Sequence, residues 1–229
     1  IKKIPLVTII VPAYNEENTI TETIKSVLNL DYPFDKLELI VVNDGSTDST
    51  KKKMVGIINK NKERNIIFID QENQGKAKSL NNALEKAKGE LFACLDADSI
   101  VDPKTLTKMV NFYQKNPNLV IATPAMRVKN PKTLFQKFQR IEYISSMFIS
   151  RIMGHLDMIY VAPGPFSLYR TDIIKKLGGF DVGNLTEDQE IAYRVQKHNY
   201  SIRQCYNAYV YTNSPKNVKA LYKQRNRWF

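Results

Sequence analysis

The sequence predicts an α/β fold, a mostly parallel sheet flanked by helices. Short apolar runs alternate with helix-length amphipathic stretches through the first half of the chain. The apolar runs are continuous, as in strands buried on both faces. Each closes on turn-forming or acidic residues, so polar side chains collect at the carboxyl ends of the strands, where ligands bind in open parallel sheets.

Val7 to Val11 is a β-branched run that ends at Pro12. Thr19 to Leu28 follows as a helix with Ile20, Ile24, Val27 and Leu28 on one face, and Thr19 with Glu22 can form a capping box. Leu37 to Val42 is the second strand, stopped by the turn signal Asn43-Asp44-Gly45. Thr47 to Asn59 reads as a helix and Ile66 to Ile69 as a third strand. Gly75 opens a helix with Ala77, Leu80, Ala83, Leu84 and Ala87 on one face, and Gly89 is its expected C-cap. Leu91 to Leu95 is the fourth strand and delivers Asp96-Ala97-Asp98. Pro103 to Lys115 gives a further helix and Val120 to Thr123 a further strand.

The second half is less regular. Thr133 to about Met153 carries Leu134, Phe138, Ile141, Ile144 and Phe148 at helical spacing, which predicts a long amphipathic helix packed across the sheet rather than lying on a membrane. Ala162 to Phe166 is a rigid loop, and Ser167 to Arg170 a short strand. Thr186-Glu187-Asp188 opens a helix to about Lys197, with Thr186 as N-cap and the acids in its first turn. From Lys216 to Trp228 the tail has helical character and a basic face.

With 229 residues, 43% apolar and 10% aromatic, the chain has the composition of one large globular domain. Cys94 and Cys205 are the only cysteines, and His155 and His198 stand alone, so a zinc site, disulfide framework or histidine triad has no basis. Cys94 reads as a small core residue. The net charge of +11 points to polyanions: nucleic acid, anionic lipid or a phosphorylated substrate. No nucleic-acid-binding signature accompanies it, and Lys51-Lys52-Lys53 reads as a solvated helix face. No run approaches the roughly 18 apolar residues of a membrane span. The chain starts at Ile1 rather than Met and stops at Trp228-Phe229, as if cut from a longer protein.

Asp96 and Asp98 are the most informative pair. In an extended chain residues two apart point the same way. Two carboxylates that close are costly unless a cation sits between them, and their oxygens suit magnesium or manganese. Such an ion serves where a diphosphate is bound and then leaves. The plainer reading is an Asp-rich turn capping the helix near Pro103. Against it, Tyr14, Glu16 and Asp44 fall at the same edge of the sheet as the Asp pair.

Six strings stand in one order: PAYNEE at Pro12 to Glu17, VVNDGSTD at Val41 to Asp48, GKAKSLN at Gly75 to Asn81, DAD at Asp96 to Asp98, TED at Thr186 to Asp188, and QRNRW at Gln224 to Trp228. The set resembles the family-2 inverting glycosyltransferases of the GT-A fold, and within them the membrane-embedded processive branch that makes cellulose, hyaluronan, chitin and poly-N-acetylglucosamine. The resemblance covers nearly the whole chain and implies one catalytic domain, residues 1–229, with a nucleotide-binding half over 1–123 and an acceptor-binding half over 124–229. It implies that Pro12, Tyr14 and Glu16 line the nucleotide pocket, that Asp44 meets the uracil or ribose, and that Lys76 reaches the base. Asp96 would hold the ribose and help with the ion, Asp98 would be the main metal ligand, and Glu187 would join the substrate contacts. Asp188 matches the catalytic base, and Gln224, Arg227 and Trp228 match the motif that closes over the diphosphate and the acceptor sugar. Gly164-Pro165-Phe166 is a looser match to a donor and acceptor contact.

The implied cofactor is a divalent cation, Mg2+ or Mn2+, and the implied partners are a UDP-sugar donor and a saccharide or lipid-linked acceptor. The implied place is the cytoplasmic face of the cell membrane, with transmembrane helices outside this chain. Transfer of one sugar to a polyprenyl or dolichyl phosphate is the alternative reading. A nucleotidyltransferase is disfavoured, because no Gly-rich phosphate loop follows the first strand.

Overall fold

The computed structural model describes residues 3–184, 186–215 and 217–226. Eight strands form one sheet in the order β3-β2-β1-β4-β7-β6-β8-β5. β1 (Val7–Ala13), β2 (Leu37–Asp44), β3 (Ile66–Gln71) and β4 (Leu91–Cys94) pair in parallel. The helices α1 (Ile20–Leu28), α2 (Thr50–Lys60) and α3 (Lys76–Lys86) cross between them. This is the parallel layer expected of the first half. Beyond β4 the sheet is mixed: β7 (Leu168–Arg170) is antiparallel to β4 and to β6 (Leu119–Val128). β8 (Ser201–Thr212) is parallel to β6, and β5 (Ser99–Val101) runs against it. α4 (Thr105–Lys115), α5 (Leu134–His155), α6 (Thr171–Lys176), α7 (Glu187–Lys197) and α8 (Val218–Arg225) complete the chain.

Two apolar cores follow from the pleat. Ile9 and Val11 of β1 face α1, α2 and α4, while Ile10 faces α3 and α7. Each fully buried aliphatic side chain there contributes about 1.5–3 kcal/mol. In the second core Phe92 stacks on Tyr169 at 4.9 Å, and Phe180 meets both rings edge-on. Cys94 is buried, as its place on the strand predicts.

Three local expectations are corrected. Thr19 forms no capping box, because its hydroxyl donates to Glu16 Oε2 at 2.6 Å; the box forms instead at Thr133 and Gln136 of α5. Gly89 is not a left-handed cap. α3 ends at Lys86, and a Cβ on Gly89 would stand 2.4 Å from the Leu91 carbonyl oxygen and 2.6 Å from Thr8 N. Thr186 precedes α7, but its hydroxyl donates to Asn184 Oδ1 rather than capping the helix.

α5 overturns a larger expectation. Leu134, Phe138, Ile141, Ile144 and Phe148 face outward, between 49% and 70% exposed, and the buried residues of the helix are Gln136, Gln139 and Gly154. The surface beneath is itself polar, with Gln204 of β8 and Ser214 buried there, and Gln136 Nε2 donates to the Ser214 carbonyl at 3.4 Å. An apolar stripe gains nothing from turning toward it. No helix among the described residues is long and apolar enough to cross a membrane.

Glu38, fully buried in β2, accepts from Thr8 Oγ1 at 2.6 Å and from Lys88 N at 3.0 Å. Thr8→Val keeps the shape and removes one donor from a buried carboxylate. Urea unfolding is expected to show a loss of about 2 kcal/mol.

Candidate active site

The site is assembled at the carboxyl edge of β1, β2 and β4. Ala13, Asn43 and Asp70 lie level across β1, β2 and β3. Asn15 turns the chain out of β1 with φ 55°, and its side-chain oxygen accepts from Thr47 N at 2.8 Å. Glu16 N donates to Thr50 Oγ1, and Glu17 N to Asp48 Oδ2. These bonds tie the β1–α1 loop to the β2–α2 loop, which is why α2 starts at Thr50 rather than Thr47. Gly45 allows the turn: its φ is 70°, and a Cβ would lie 2.5 Å from Asn73 N. Pro12 is buried within β1, Tyr14 is 49% exposed, and Glu16 is half-buried.

Asp44 is 4% exposed, and its carboxylate accepts from Gln71 Nε2 at 2.8 Å, Gln74 N at 3.0 Å and Gly75 N at 3.0 Å. It therefore fixes the β3–α3 loop that leads into Lys76. Sequence spacing did not reveal that role.

Lys76, in the first turn of α3, reaches two carboxylates at once: Asp96 Oδ1 at 2.7 Å and Glu187 Oε1 at 2.9 Å. Burial works against its charge, but Asp96 and Glu187 outweigh that and hold the ammonium well above its ordinary pKa. Gly164 lies directly on this bridge, since a Cβ there would stand 2.8 Å from Lys76 Nζ and 2.9 Å from Asp96 Oδ2. Asp188 borders the same small cavity as Lys76, Gly164, Tyr169 and Glu187. Its backbone carbonyl accepts from Ala162 N at 3.0 Å, which ties the 162–166 loop to the start of α7. Burial first, and then the charge of Glu187, raise the Asp188 pKa, while Lys76 pulls it down. An acid with a raised pKa is a stronger base once ionised.

Asp98 stands close enough to Asp96 to feel its charge. Burial, the Asp96 charge and the Glu16 charge push its pKa up to about 6. Ser99 Oγ donates to it at 3.0 Å, and no lysine or arginine pairs with it among the described residues. Its surroundings thus favour neutralisation, by a proton or a cation. Among the described residues no group of three or more ligating side chains forms a ready-made cage. Magnesium needs none, since it is commonly held by one or two carboxylates with phosphate oxygens and water completing the shell. The donor set of Asp96 and Asp98 fits that chemistry.

Two neighbours escaped the sequence reading. Burial raises the Tyr143 pKa on α5, with Asp98 the least of the contributing charges, and Asn213 Nδ2 donates to the Asp98 carbonyl at 3.3 Å. No periodicity or motif marks either residue. Gln224 falls on α8 but its side chain, like all of Arg227 and Trp228, lies outside the described residues.

Comparison with known proteins gives a consistent picture. The poly-β-1,6-N-acetyl-D-glucosamine synthase of Staphylococcus epidermidis is 33% identical over 224 residues, 97% of this chain and 53% of that protein. The Staphylococcus aureus synthase of the same description is 34% identical over 225 residues, with the same shares of both chains. The chain thus spans about half the length of these curated relatives. Among solved structures, the mannosyltransferase PcManGT from Pyrobaculum calidifontis, in complex with GDP-Man and Mn2+, superposes with a TM-score of 0.80 at 25% identity, over 97% of this chain and 61% of that one. A fragment of S. aureus TarS in complex with UDP-GlcNAc gives 0.71 at 25% identity, over 94% and 60%. The fold is that of these GT-A glycosyltransferases. The profile of glycosyl transferase family 2 matches residues 8–178, most of the chain and all of the edge that carries Glu16, Asp44, Lys76, Asp96 and Asp98, and the chain belongs to that family.

Proposed function

We propose that the chain is the catalytic domain of an inverting glycosyltransferase that moves a sugar from a UDP-sugar to a hydroxyl of a growing polysaccharide at the cytoplasmic face of a membrane. The observation that supports this reading is that Asp188 borders one small cavity with Lys76 and Glu187, while Lys76 also bridges to Asp96 at the edge of the sheet. The relatives named as polysaccharide synthases and the neighbour solved with UDP-GlcNAc support the polymer product and the uridine donor.

A sugar hydroxyl is a poor nucleophile at neutral pH, so Asp188 takes its proton as it attacks the anomeric carbon. A single displacement with inversion needs no second carboxylate as nucleophile. The β1–α1 loop with Glu16, and the β3–α3 loop shaped by Asp44, border the nucleotide. Lys76 reaches its base and Asp96 holds its ribose. Asp98 and Asp96 would hold a divalent cation, which when bound stabilises the negative charge of the leaving diphosphate. Arg227 would add a guanidinium to that charge, and Trp228 a flat face for the acceptor ring. In this reading residues 1–123 serve the nucleotide and 124–229 the acceptor.

Calorimetry with UDP and UDP-GlcNAc, with and without Mn2+, tests the donor site. Binding is expected to tighten at least about tenfold with the cation, and Asp98→Ala to lose that gain. Equal affinity without metal, in the parent and the variant alike, would remove Asp98 from the site.

A further inference from the structure

α5 is a helix turned inside out. Leu134, Phe138, Ile141, Phe148, Ile149 and Ile152 fall within an arc of about 100° of the helix surface. All six are exposed, between 49% and 70%. The opposite side carries Gln136, Gln139 and Gly154, and that side lies on the sheet. A surface helix of a globular protein ordinarily turns its apolar stripe to the core. Here the stripe forms a ridge about 27 Å long in contact with water. Scattered exposed apolar residues are normal, but a continuous ridge of this size marks an interaction surface.

The charges beside the ridge indicate its partner. Lys137, Arg140 and Arg151 are exposed along one margin. The helix has a single acid, Glu142, and that acid is paired with Arg225 of α8. An apolar face with a cationic margin matches a bilayer surface, in which acyl chains take the ridge and anionic headgroups take the cations. A second copy of the chain laid on the ridge would offer no free acid from its own α5 to these three cations. We infer that α5 docks in the surface of an anionic lipid bilayer, lying along it rather than crossing it. This inference does not rest on the catalytic reading.

Flotation with vesicles of equal parts phosphatidylcholine and phosphatidylglycerol tests it, with vesicles of phosphatidylcholine alone for comparison. The unaltered chain is expected to float with the anionic vesicles, less so in high salt. F138D/F148D is expected to lower the bound fraction about tenfold, with circular dichroism and melting temperature unchanged because both rings are exposed. K137Q/R140Q/R151Q should weaken binding to the anionic vesicles. K52Q/K60Q/K62Q, on α2 and the turn that follows it near the opposite edge of the sheet, should leave it intact. Three results would overturn the inference: no flotation of the unaltered chain; equal flotation of F138D/F148D, which would assign the effect to net charge; or a dimer that F138D/F148D dissociates without any flotation, which would give the ridge to a second copy.

Discussion

Asp188→Asn is expected to lower turnover about a thousand-fold, within the range by which a positioned general base accelerates proton transfer. Affinity for UDP should change less than about threefold, because among the described residues no hydrogen bond or ion pair ties the Asp188 carboxylate to the loops around Glu16 and Asp44. Asparagine keeps the shape at the start of α7 and the carbonyl that accepts from Ala162 N, so the melting temperature should hold. The unsubstituted enzyme supplies a further signature. Burial and Glu187 raise the Asp188 pKa, and only the ionised form accepts a proton. Activity should therefore fall on acidification while the pH is still above the ordinary carboxylate range, with the base fully competent on the alkaline side. Assays of transfer or of donor hydrolysis across pH, on the protein that carries this domain, read both effects. Turnover retained in Asp188→Asn would place the base elsewhere.

How much of this was legible in the sequence depends on the reach of each interaction. β1, β2 and β4 were readable because strands buried on both faces must be apolar throughout, and the acids at their ends had no packing reason to gather there. β8 was not. Its sequence mixes Arg203, Gln204, Tyr206 and Asn207 with apolar residues because it is covered unevenly, and its register with β6 slips between Pro124 and Ala125. β5 is only three residues long and too short to show a period. The period of α5 was read correctly and its direction wrongly. Spacing reveals that a helix has two faces, but not which of them meets protein. Local spacing marks the Asp96–Asp98 pair as chemistry, whereas Asp188 and Lys76 were named only through the strings TED and GKAKSLN. The ammonium bridge that joins their neighbourhoods was legible in neither way. The Lys76–Glu187 contact links α3 to α7 across a large part of the chain, and only the folded sheet brings the two together. Gly164 is similar: its lack of a side chain matters because of Lys76 and Asp96, which are remote in sequence.

That ammonium yields the second large effect. Lys76→Met leaves Asp96, Glu187 and Asp188 gathered without their shared cation, and like charges so placed resist ionisation together. Because Lys76 lowers the Asp188 pKa and Glu187 raises it, the two substitutions should move the acid limb of the pH profile in opposite directions. Lys76→Met should shift it to higher pH and Glu187→Gln to lower pH. Turnover at neutral pH should fall about 10- to 100-fold in Lys76→Met, from lost charge balance and lost orientation of Asp96. Lys76→Arg should restore part of it, limited by the room that Gly164 leaves. Gly164→Ala presses a methyl group onto the same bridge without straining its own backbone, so it should reproduce part of the Lys76→Met defect in a folded protein. Combining the two should cost less than the sum of their separate effects, as expected of residues that act through one contact. Acid limbs that move the same way in Lys76→Met and Glu187→Gln would show that the bridge does not tune Asp188. Strict additivity of Gly164→Ala with Lys76→Met would show that the glycine serves some other contact.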